Sequence, residues 1–205
     1  MSHAASVSIR TIVFDVGWVL LHLDYSRLTA LLREHGADVS SMRDVVTRIE
    51  LERHETGRLP GAGLLENLAR LATRDIDAAR LRTCWVDMFE PQPRMIGLAN
   101  DLARRYRVHL LSNVGELHWD HLTREYAIHE IGHGALTSFA AGVMKPDSDI
   151  YAQAERRFEL EPAATVFIDD LEANVAAARS RGWHGVQHRS YEETTAALTA
   201  LGVIC

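Results

Sequence analysis

The sequence predicts an α/β protein in which helices flank a parallel sheet and a helical bundle is inserted after the first strand. From residue 91 onward, short apolar segments alternate with amphipathic ones, a pattern typical of strands joined by crossover helices. Residues 25–90 show helical periodicity instead, without a convincing strand. Because an amphipathic helix must bury its apolar face, this block is expected to form a small bundle.

The composition is ordinary for a globular protein. The chain has 205 residues, 47% of them hydrophobic, which suffices for one core with a smaller additional unit. The formal net charge of −6 argues against a nucleic acid or an anionic membrane as the main partner. Cys84 and Cys205 give no disulfide framework, and no apolar run resembles a signal peptide or a membrane span. We therefore expect a cytoplasmic protein, either a monomer or a homodimer.

The first strand is predicted at residues 11–14. These residues are apolar or β-branched without alternation, which suits a strand buried on both faces of a sheet. Asp15 follows directly, at the edge where ligands bind in open α/β sheets. Gly17 permits a sharp turn or a close approach of the backbone to a ligand. The alternative for Asp15 is an aspartate that only caps a turn.

The helical block divides the predicted sheet domain into residues 10–24 and 91–205. Its amphipathic faces are built on Leu28, Leu31 and Leu32; on Val45, Val46, Ile49 and Leu51; on Leu64, Leu65, Leu68 and Leu71; and on Leu81, Trp85, Met88 and Phe89. A helix start at Ser40-Ser41 and a Gly- and Pro-rich break at residues 57–63 separate these faces.

The second half of the chain supplies the remaining strands and helices. Strands are predicted at residues 108–111, 136–139, 165–168 and 183–187, and helices at residues 95–106, 117–126, 149–158, 171–181 and 194–201. This alternation implies right-handed crossovers within one parallel sheet.

Three of the predicted strands end in polar residues. Asp15 follows the first strand, Ser112 and Asn113 follow the second, and Asp169 and Asp170 follow the fourth. Because the carboxyl ends of parallel strands lie along one edge of the sheet, these side chains can converge on one pocket. Taken singly, each has an ordinary interpretation as a helix cap or a turn residue.

A lysine can join this cluster from a loop. Lys145 stands in the segment Met144-Lys145-Pro146, shortly before a predicted helix, and could reach the same edge as a point charge for a phosphate. Carboxylates with a hydroxyl and a lysine suit Mg²⁺ and a phosphoryl group, since Mg²⁺ prefers oxygen ligands. A solvated surface lysine is the alternative.

Four segments in this order resemble the motifs of the haloacid dehalogenase (HAD) superfamily: Phe-Asp-Val-Gly at residues 14–17, Leu-Leu-Ser-Asn at 110–113, Met-Lys-Pro at 144–146 and Phe-Ile-Asp-Asp at 167–170. The helical block lies where that superfamily places its C1 cap. With Glu-Thr-Gly at residues 55–57, the chain looks closest to the sugar-phosphate phosphatase branch that includes α-D-glucose-1-phosphate phosphatase. The resemblance implies a Rossmann-like core and a cap at residues 25–90.

The resemblance also implies roles in phosphoryl transfer. Asp15 would be the nucleophile and form an aspartyl-phosphate intermediate. Ser112 would donate a hydrogen bond to the phosphoryl oxygens, with Asn113 beside it. Lys145 would offset the charge between Asp15 and the phosphate. The implied substrate is a small phosphorylated metabolite, such as a sugar phosphate.

A Mg²⁺ site follows from the same resemblance. Asp15 and the backbone carbonyl of Gly17 would bind the metal, and Asp170 would be the direct ligand from the fourth motif. Asp169, and with it Asn174, would act through metal-bound water.

One position departs from the family pattern. Most phosphatases of the superfamily carry a second aspartate, the general acid and base, where this chain has Gly17. That function is usually worth about 10²–10⁴-fold in rate. His22 or Asp24 could substitute for it. A catalytically weak or inactive binding protein is therefore an alternative function.

Contacts to the rest of the substrate are assigned to two regions. Trp18, on the turn beside Asp15, could contact the non-phosphate part or pack between cap and core. Residues 55–58 of the helical block are the other candidates.

Two other chemistries compete with phosphate hydrolysis. A 2-haloacid dehalogenase uses the same nucleophile on carbon without a metal, but adjacent carboxylates at Asp169 and Asp170 argue for a cation. The segment His-Glu-Ile-Gly-His at residues 129–133 matches a zinc-protease pattern, with Glu155 as a conceivable third ligand. Gly132 weakens a helix there, so we interpret the match as chance. His118 and His121 are expected on a solvated helix surface.

Overall fold

Five parallel strands form the main sheet in the computed structural model, which describes residues 8–204. The strands of the described chain are β1 (Thr11–Phe14), β2 (Leu21–Leu23), β3 (Phe89–Pro91), β4 (Arg107–Ser112), β5 (Ala135–Thr137), β6 (Thr165–Asp169) and β7 (His184–Gln187). The main sheet has the order β5-β4-β1-β6-β7, and β2 pairs with β3 in a separate antiparallel ribbon. The predicted α/β class with a parallel sheet is confirmed. Cys205 lies outside the described residues.

Helices connect these strands. They are α1 (Ser26–Glu34), α2 (Met42–Arg48), α3 (Leu51–Glu55), α4 (Gly61–Ala69), α5 (Ala78–Val86), α6 (Pro93–Ala103), α7 (Glu116–Tyr126), α8 (Ser138–Ala141), α9 (Ser148–Phe158), α10 (Glu172–Ser180) and α11 (Tyr191–Ala200). Short 3-10 turns occupy residues 128–130 and 162–164. No helix among residues 8–204 is both long and apolar enough to cross a bilayer.

Strand β1 lies at the centre of the sheet because all four of its residues are apolar or β-branched. Each of them is buried, and β4 pairs with it on one side and β6 on the other. Phe14 lies opposite both Leu110 and Ile168 in the register. The chain passes from β1 to β4 and β5 on one side and then crosses to β6 and β7 on the other. This change of direction leaves a crevice at the carboxyl ends of β1, β4 and β6, where α/β sheets bind ligands.

Helices α1–α5 stand between β2 and β3. The two strands are the connections into and out of the helical block, and the backbone NH of Asp24 donates to the carbonyl of Met88 beside their pairing, at 2.8 Å. The sequence prediction placed Phe89 on a fourth helix, and this was wrong: α5 ends at Val86, and Phe89 begins β3. The division into a core and a cap at residues 25–90 stays a prediction.

The predicted strand at residues 136–139 is also too long. Strand β5 ends at Thr137, and Phe139 belongs to α8. Ser138, at the start of that helix, is buried, and its hydroxyl accepts a hydrogen bond from the backbone NH of Val114 at 2.9 Å. This contact fixes the turn after β5 against the loop that follows β4, so the extended chain ends there.

Candidate active site

Three carboxylates meet at the carboxyl edge of the sheet. Asp15 follows β1, Asp169 is the last residue of β6, and Asp170 comes next. Each offers an oxygen within 4.8 Å of the others. The short parallel strands explain this convergence, because β1 and β6 are in register and end together. Among residues 8–204, this acidic trio is the only group of three or more His, Cys, Asp or Glu residues that could hold a metal ion.

Lys145 lies between two of these carboxylates. Its Nζ is 2.9 Å from Asp15 Oδ1 and 2.7 Å from Asp169 Oδ2, and its side chain is 1% exposed. It is also the single lysine of a chain with 22 basic residues. The prediction for Lys145 depended on its motif and did not use the fact that the chain has no other lysine. A compact ammonium fits between two buried carboxylates where the wide planar guanidinium of arginine would not.

The side chain of Asn113 holds the Lys145 segment in place. Its amide nitrogen donates to the carbonyl of Lys145 at 2.9 Å, and its amide oxygen accepts from the backbone NH of Lys145 at 2.9 Å. The assignment of Asn113 to substrate binding stays a prediction; the structure shows that both polar atoms of its amide bond to the Lys145 backbone and that the residue lines the adjoining pocket. Ser112, the last residue of β4, is buried and lines the pocket beside the site.

Asp169 is fully buried, and both of its oxygens accept hydrogen bonds. The amide of Asn174 donates to both oxygens at 2.9 and 3.0 Å, the backbone NH of Leu171 donates to Oδ1, and Lys145 donates to Oδ2. Asn174 thus contacts a carboxylate directly. Asp170 is only half-buried, which leaves it the more accessible oxygen donor of the pair.

The charges at this edge are not balanced by the protein alone. Burial, together with the neighbouring Asp169 carboxylate, raises the pKa of Asp15 to about 7, although Lys145 opposes the shift. Burial and Asp169 also raise the pKa of Asp170. One ammonium faces three carboxylates, so a divalent cation with a preference for oxygen ligands fits the donor set.

A narrow pocket adjoins the carboxylates. This apolar pocket, about 90 Å³ in volume, has mostly hydrophobic walls that include Val16, Leu23, Met42, Val46, Met88 and Phe89. Its polar lining comes from Gly17, Ser112, Asn113, Tyr25, Glu55 and His118. A wider outer cleft of about 730 Å³ lies next to it, between α2–α3 and residues 142–147, and shares Glu55 with it. Residues 17 and 112–113 therefore face α3 across one pocket.

Trp18 lies apart from this pocket. It is 38% exposed, has a left-handed backbone (φ 59°), and places its ring edge-on to His22, with 4.3 Å between the ring centroids. Both residues line another cavity of about 390 Å³, which also includes Asp170. The carboxylate of Asp24 accepts hydrogen bonds from the NH and hydroxyl of Ser26, and these bonds lower its pKa. An aspartate held ionised in this way is a poor proton donor.

The zinc interpretation of residues 129–133 fails. His129 and Glu130 end a 3-10 turn, and His133 Nδ1 lies 3.1 Å from the backbone nitrogen of Val108, whose NH it accepts. Glu155 is bound by Arg181 through two hydrogen bonds. The segment forms no helix to bring its histidines to one face.

His118 and His121 are buried, contrary to the prediction of a solvated surface. The ring of His118 stacks on Trp85 with 4.7 Å between centroids, and its Nε2 donates to the Trp85 carbonyl at 2.8 Å. Helix α7 therefore buries this face against α5 of the helical block, which the spacing of one helix could not reveal.

A model of the haloacid dehalogenase-like hydrolase family matches residues 9–182. The chain belongs to this family. The predicted membership of the HAD superfamily is thereby confirmed, and the protein is a hydrolase of that fold. The D-ribitol-5-phosphate phosphatase of Bacteroides thetaiotaomicron is 22% identical over 212 residues, which cover 94% of this chain and 98% of that protein.

Solved HAD structures share the fold over nearly the whole chain. A HAD-family enzyme of Bacteroides thetaiotaomicron, in complex with magnesium and inorganic phosphate, superposes with a TM-score of 0.78 at 20% identity, covering 90% of this chain and 96% of that one. A predicted HAD-like hydrolase of Porphyromonas gingivalis gives a TM-score of 0.76 at 26% identity, covering 94% and 97%.

Proposed function

We propose that this HAD hydrolase is a Mg²⁺-dependent phosphatase of a small phosphorylated metabolite. The observation that carries the proposal is the acidic trio with Lys145 set between two of its members. A phosphate monoester brings further negative charge to this edge, which a cation and an ammonium can stabilise together. Two relatives also support the proposal: the phosphatase from Bacteroides thetaiotaomicron and the HAD-family structure that contains magnesium and phosphate.

Asp15 is the proposed nucleophile. It lies at the end of β1, is 7% exposed, and its Oδ1 accepts hydrogen bonds from Lys145 and from the backbone NH of Val16 at 2.6 Å. These bonds orient the carboxylate toward the crevice. Its attack on phosphorus forms an aspartyl phosphate and releases the alcohol, and water then hydrolyses the acyl phosphate. Ser112 and Lys145 bind the phosphoryl oxygens as negative charge shifts onto them.

The metal would be held by Asp15, Asp170 and the carbonyl of Gly17. Asp169 already accepts hydrogen bonds on both oxygens, so its proposed contribution is through a metal-bound water and through the orientation of Lys145 and Asn174. A bound Mg²⁺ supplies charge neutralisation that lets an anionic nucleophile approach an anionic ester.

The same trio favours phosphate over a haloacid. Dehalogenation at carbon needs no cation, and three clustered carboxylates without one repel each other and the substrate's own carboxylate. Phosphate transfer uses the cation that this cluster attracts.

Release of inorganic phosphate tests the proposal. Substrates are p-nitrophenyl phosphate and a panel of sugar, polyol and isoprenoid phosphates, each with Mg²⁺ and with EDTA. We expect Mg²⁺-dependent release that Asp15→Asn abolishes. Asp75→Asn, a matched change at an exposed aspartate of the helical block, should retain wild-type rates. Absence of release from every ester in the wild type would favour the alternative of a binding protein.

A further inference from the structure

The strand ends that line the apolar pocket supply no proton donor for the proposed reaction. An alkoxide leaving group must be protonated as its bond to phosphorus breaks, and a water must be deprotonated in the next step. Gly17 carries no side chain, and Ser112 and Asn113 do not titrate near neutrality. Lys145 bonds to two carboxylates, which raise its pKa. The proton donor is therefore sought among the other residues that line this pocket.

We propose that Glu55, at the end of α3, is the general acid and base of this hydrolase, an inference that rests on the proposed phosphatase function. Glu55 lines the apolar pocket together with Gly17 and Ser112, and it lines the outer cleft as well. It is the acidic side chain shared by both cavities. A leaving group that extends from a phosphate at Ser112 would pass along Glu55.

The Glu55 carboxylate has no fixed partner in the part of the chain that the structure describes. Within residues 8–204 it makes no hydrogen bond or ion pair, although it is half-buried. The other glutamates of the same stretch are engaged: Glu50 accepts from Arg53 at 2.6 Å, and Glu52 lies 3.6 Å from Arg58. Leaving a half-buried carboxylate unpaired costs stability, which is typical of groups kept for function.

The neighbours of Glu55 fix its position against the sheet domain. The ring of His54 lies on Gly115, where a Cβ atom would come within 2.2 Å of it. Gly57 has a left-handed backbone (φ 71°), and a Cβ there would lie 2.6 Å from the carbonyl oxygen of Phe139. Residues on both sides of Glu55 thus pack on the core, and the carboxyl group is held at its edge.

The surroundings of Glu55 suit proton transfer. Burial raises its pKa to about 7, against the opposing charge of Lys145. The other titratable or charged side chains that line its two cavities are Tyr25, His118, Glu52, Arg58 and Asp147. Burial lowers the pKa of His118 to about 4, and its Nε2 already donates to a carbonyl, so His118 is a poor competitor.

The two steps balance through this one group. As Asp15 attacks phosphorus, the bond from phosphorus to the ester oxygen breaks and the Glu55 proton passes to that oxygen, which leaves as an alcohol. The Glu55 carboxylate then takes a proton from water as the water oxygen bonds to phosphorus and the bond to Asp15 breaks. The products are the alcohol and inorganic phosphate, with Asp15 ionised and Glu55 protonated again.

Glu55→Gln tests the inference with an alkyl phosphate and with p-nitrophenyl phosphate, both in Mg²⁺. For the alkyl ester we expect kcat to fall by about 10²–10⁴-fold with KM changed far less. The nitrophenolate group leaves without a proton, so the variant should release one equivalent in a burst and then stall as the aspartyl phosphate. Intact-protein mass spectrometry would detect that adduct. Glu66→Gln, on an exposed face of α4, should behave as the wild type.

A second change separates proton transfer from packing. A Cβ at Gly17 would meet only Leu23 Cδ1, at 3.6 Å, so an aspartate fits there and faces the same pocket. The double variant Gly17→Asp/Glu55→Gln should have a kcat at least about tenfold higher than that of Glu55→Gln alone. Two results with an active wild type would overturn the inference. In one, the Glu55→Gln variant keeps the wild-type kcat. In the other, the variant shows only a raised KM and accumulates no adduct. An inactive wild type would instead overturn the proposed function.

Discussion

The ammonium group of Lys145 lies 2.7 Å from the fully buried carboxylate of Asp169. Lys145→Met removes this charge and leaves Asp169 and Asp15 without a cation in the metal-free protein. Removing one partner of a buried pair typically costs about 3–5 kcal/mol, because the remaining charge stays desolvated. We expect a loss of that size in the free energy of unfolding, measured with urea in EDTA.

Arg70→Met is the control for that change. Arg70 pairs with Glu66 at 3.2 Å, but the two side chains are 70% and 66% exposed. Water screens such a pair, so its loss should cost less than about 1 kcal/mol. Equal losses for the two variants would show that the Lys145 pair is no stronger than a surface pair.

Magnesium should stabilise the folded protein through Asp170. A ligand that binds only the native state adds about 2.7 kcal/mol at roughly 100 times its dissociation constant. We expect Mg²⁺ to raise the melting temperature of the wild type and EDTA to reverse the rise. Asp170→Asn should remove most of the Mg²⁺ effect, whereas Asp75→Asn should keep it. A full Mg²⁺ response in Asp170→Asn would place the metal elsewhere.

Acid should destabilise the protein through His118. Burial lowers the pKa of this imidazole from its ordinary 6.5 to about 4. Between these pH values the unfolded chain binds a proton that the folded chain does not, so stability falls as pH decreases through this window. The contribution is up to about 3 kcal/mol, fully present above pH 6.5 and lost near pH 4.

Urea unfolding of His118→Gln and of the wild type, from roughly pH 7.5 to roughly pH 4.5, would isolate that contribution. This range covers most of the window in which the imidazole titrates in the unfolded chain but not in the folded one. Glutamine can keep the hydrogen bond to the Trp85 carbonyl but cannot titrate. Its free energy of unfolding should therefore fall less than that of the wild type on acidification. His129→Gln, at an exposed histidine, should follow the wild-type curve. A parallel decline in His118→Gln would assign the acid sensitivity to other groups.

The fold could be predicted because its strands are short, apolar and separated by clear helices. Thr11–Phe14 is buried on both faces, so its composition alone marks a central strand. From that strand, the meeting of Asp15 with Asp169 follows from parallel geometry. Strand β3 escaped prediction because three residues carry no periodicity and its partner β2 lies far away in the sequence.

The remaining features of the site depend on contacts between segments that are distant in the sequence. One helix cannot reveal that His118 stacks on Trp85, since the apolar face of α7 was already accounted for by leucines. The commitment of the Asn113 amide to Lys145 is a contact between two loops. Glu55 could be selected from the Glu-Thr-Gly segment, but the sequence could not predict that it shares a pocket with Gly17.

Gly115→Ala should weaken the packing of α3 against residue 115. A methyl group at residue 115 would lie 2.2 Å from the His54 ring, which is buried and hydrogen-bonded through Nδ1 to the Leu59 carbonyl. Overpacking of this kind costs about 1–3 kcal/mol, and a displaced His54 moves the neighbouring Glu55, so kcat should fall with stability. Gly97→Ala, inside α6 with no atom within 4 Å of the added methyl, should stabilise by about 0.5–1 kcal/mol without affecting kcat. If urea unfolding and phosphate release showed no difference between the two variants, the contact between His54 and Gly115 would not be what positions α3.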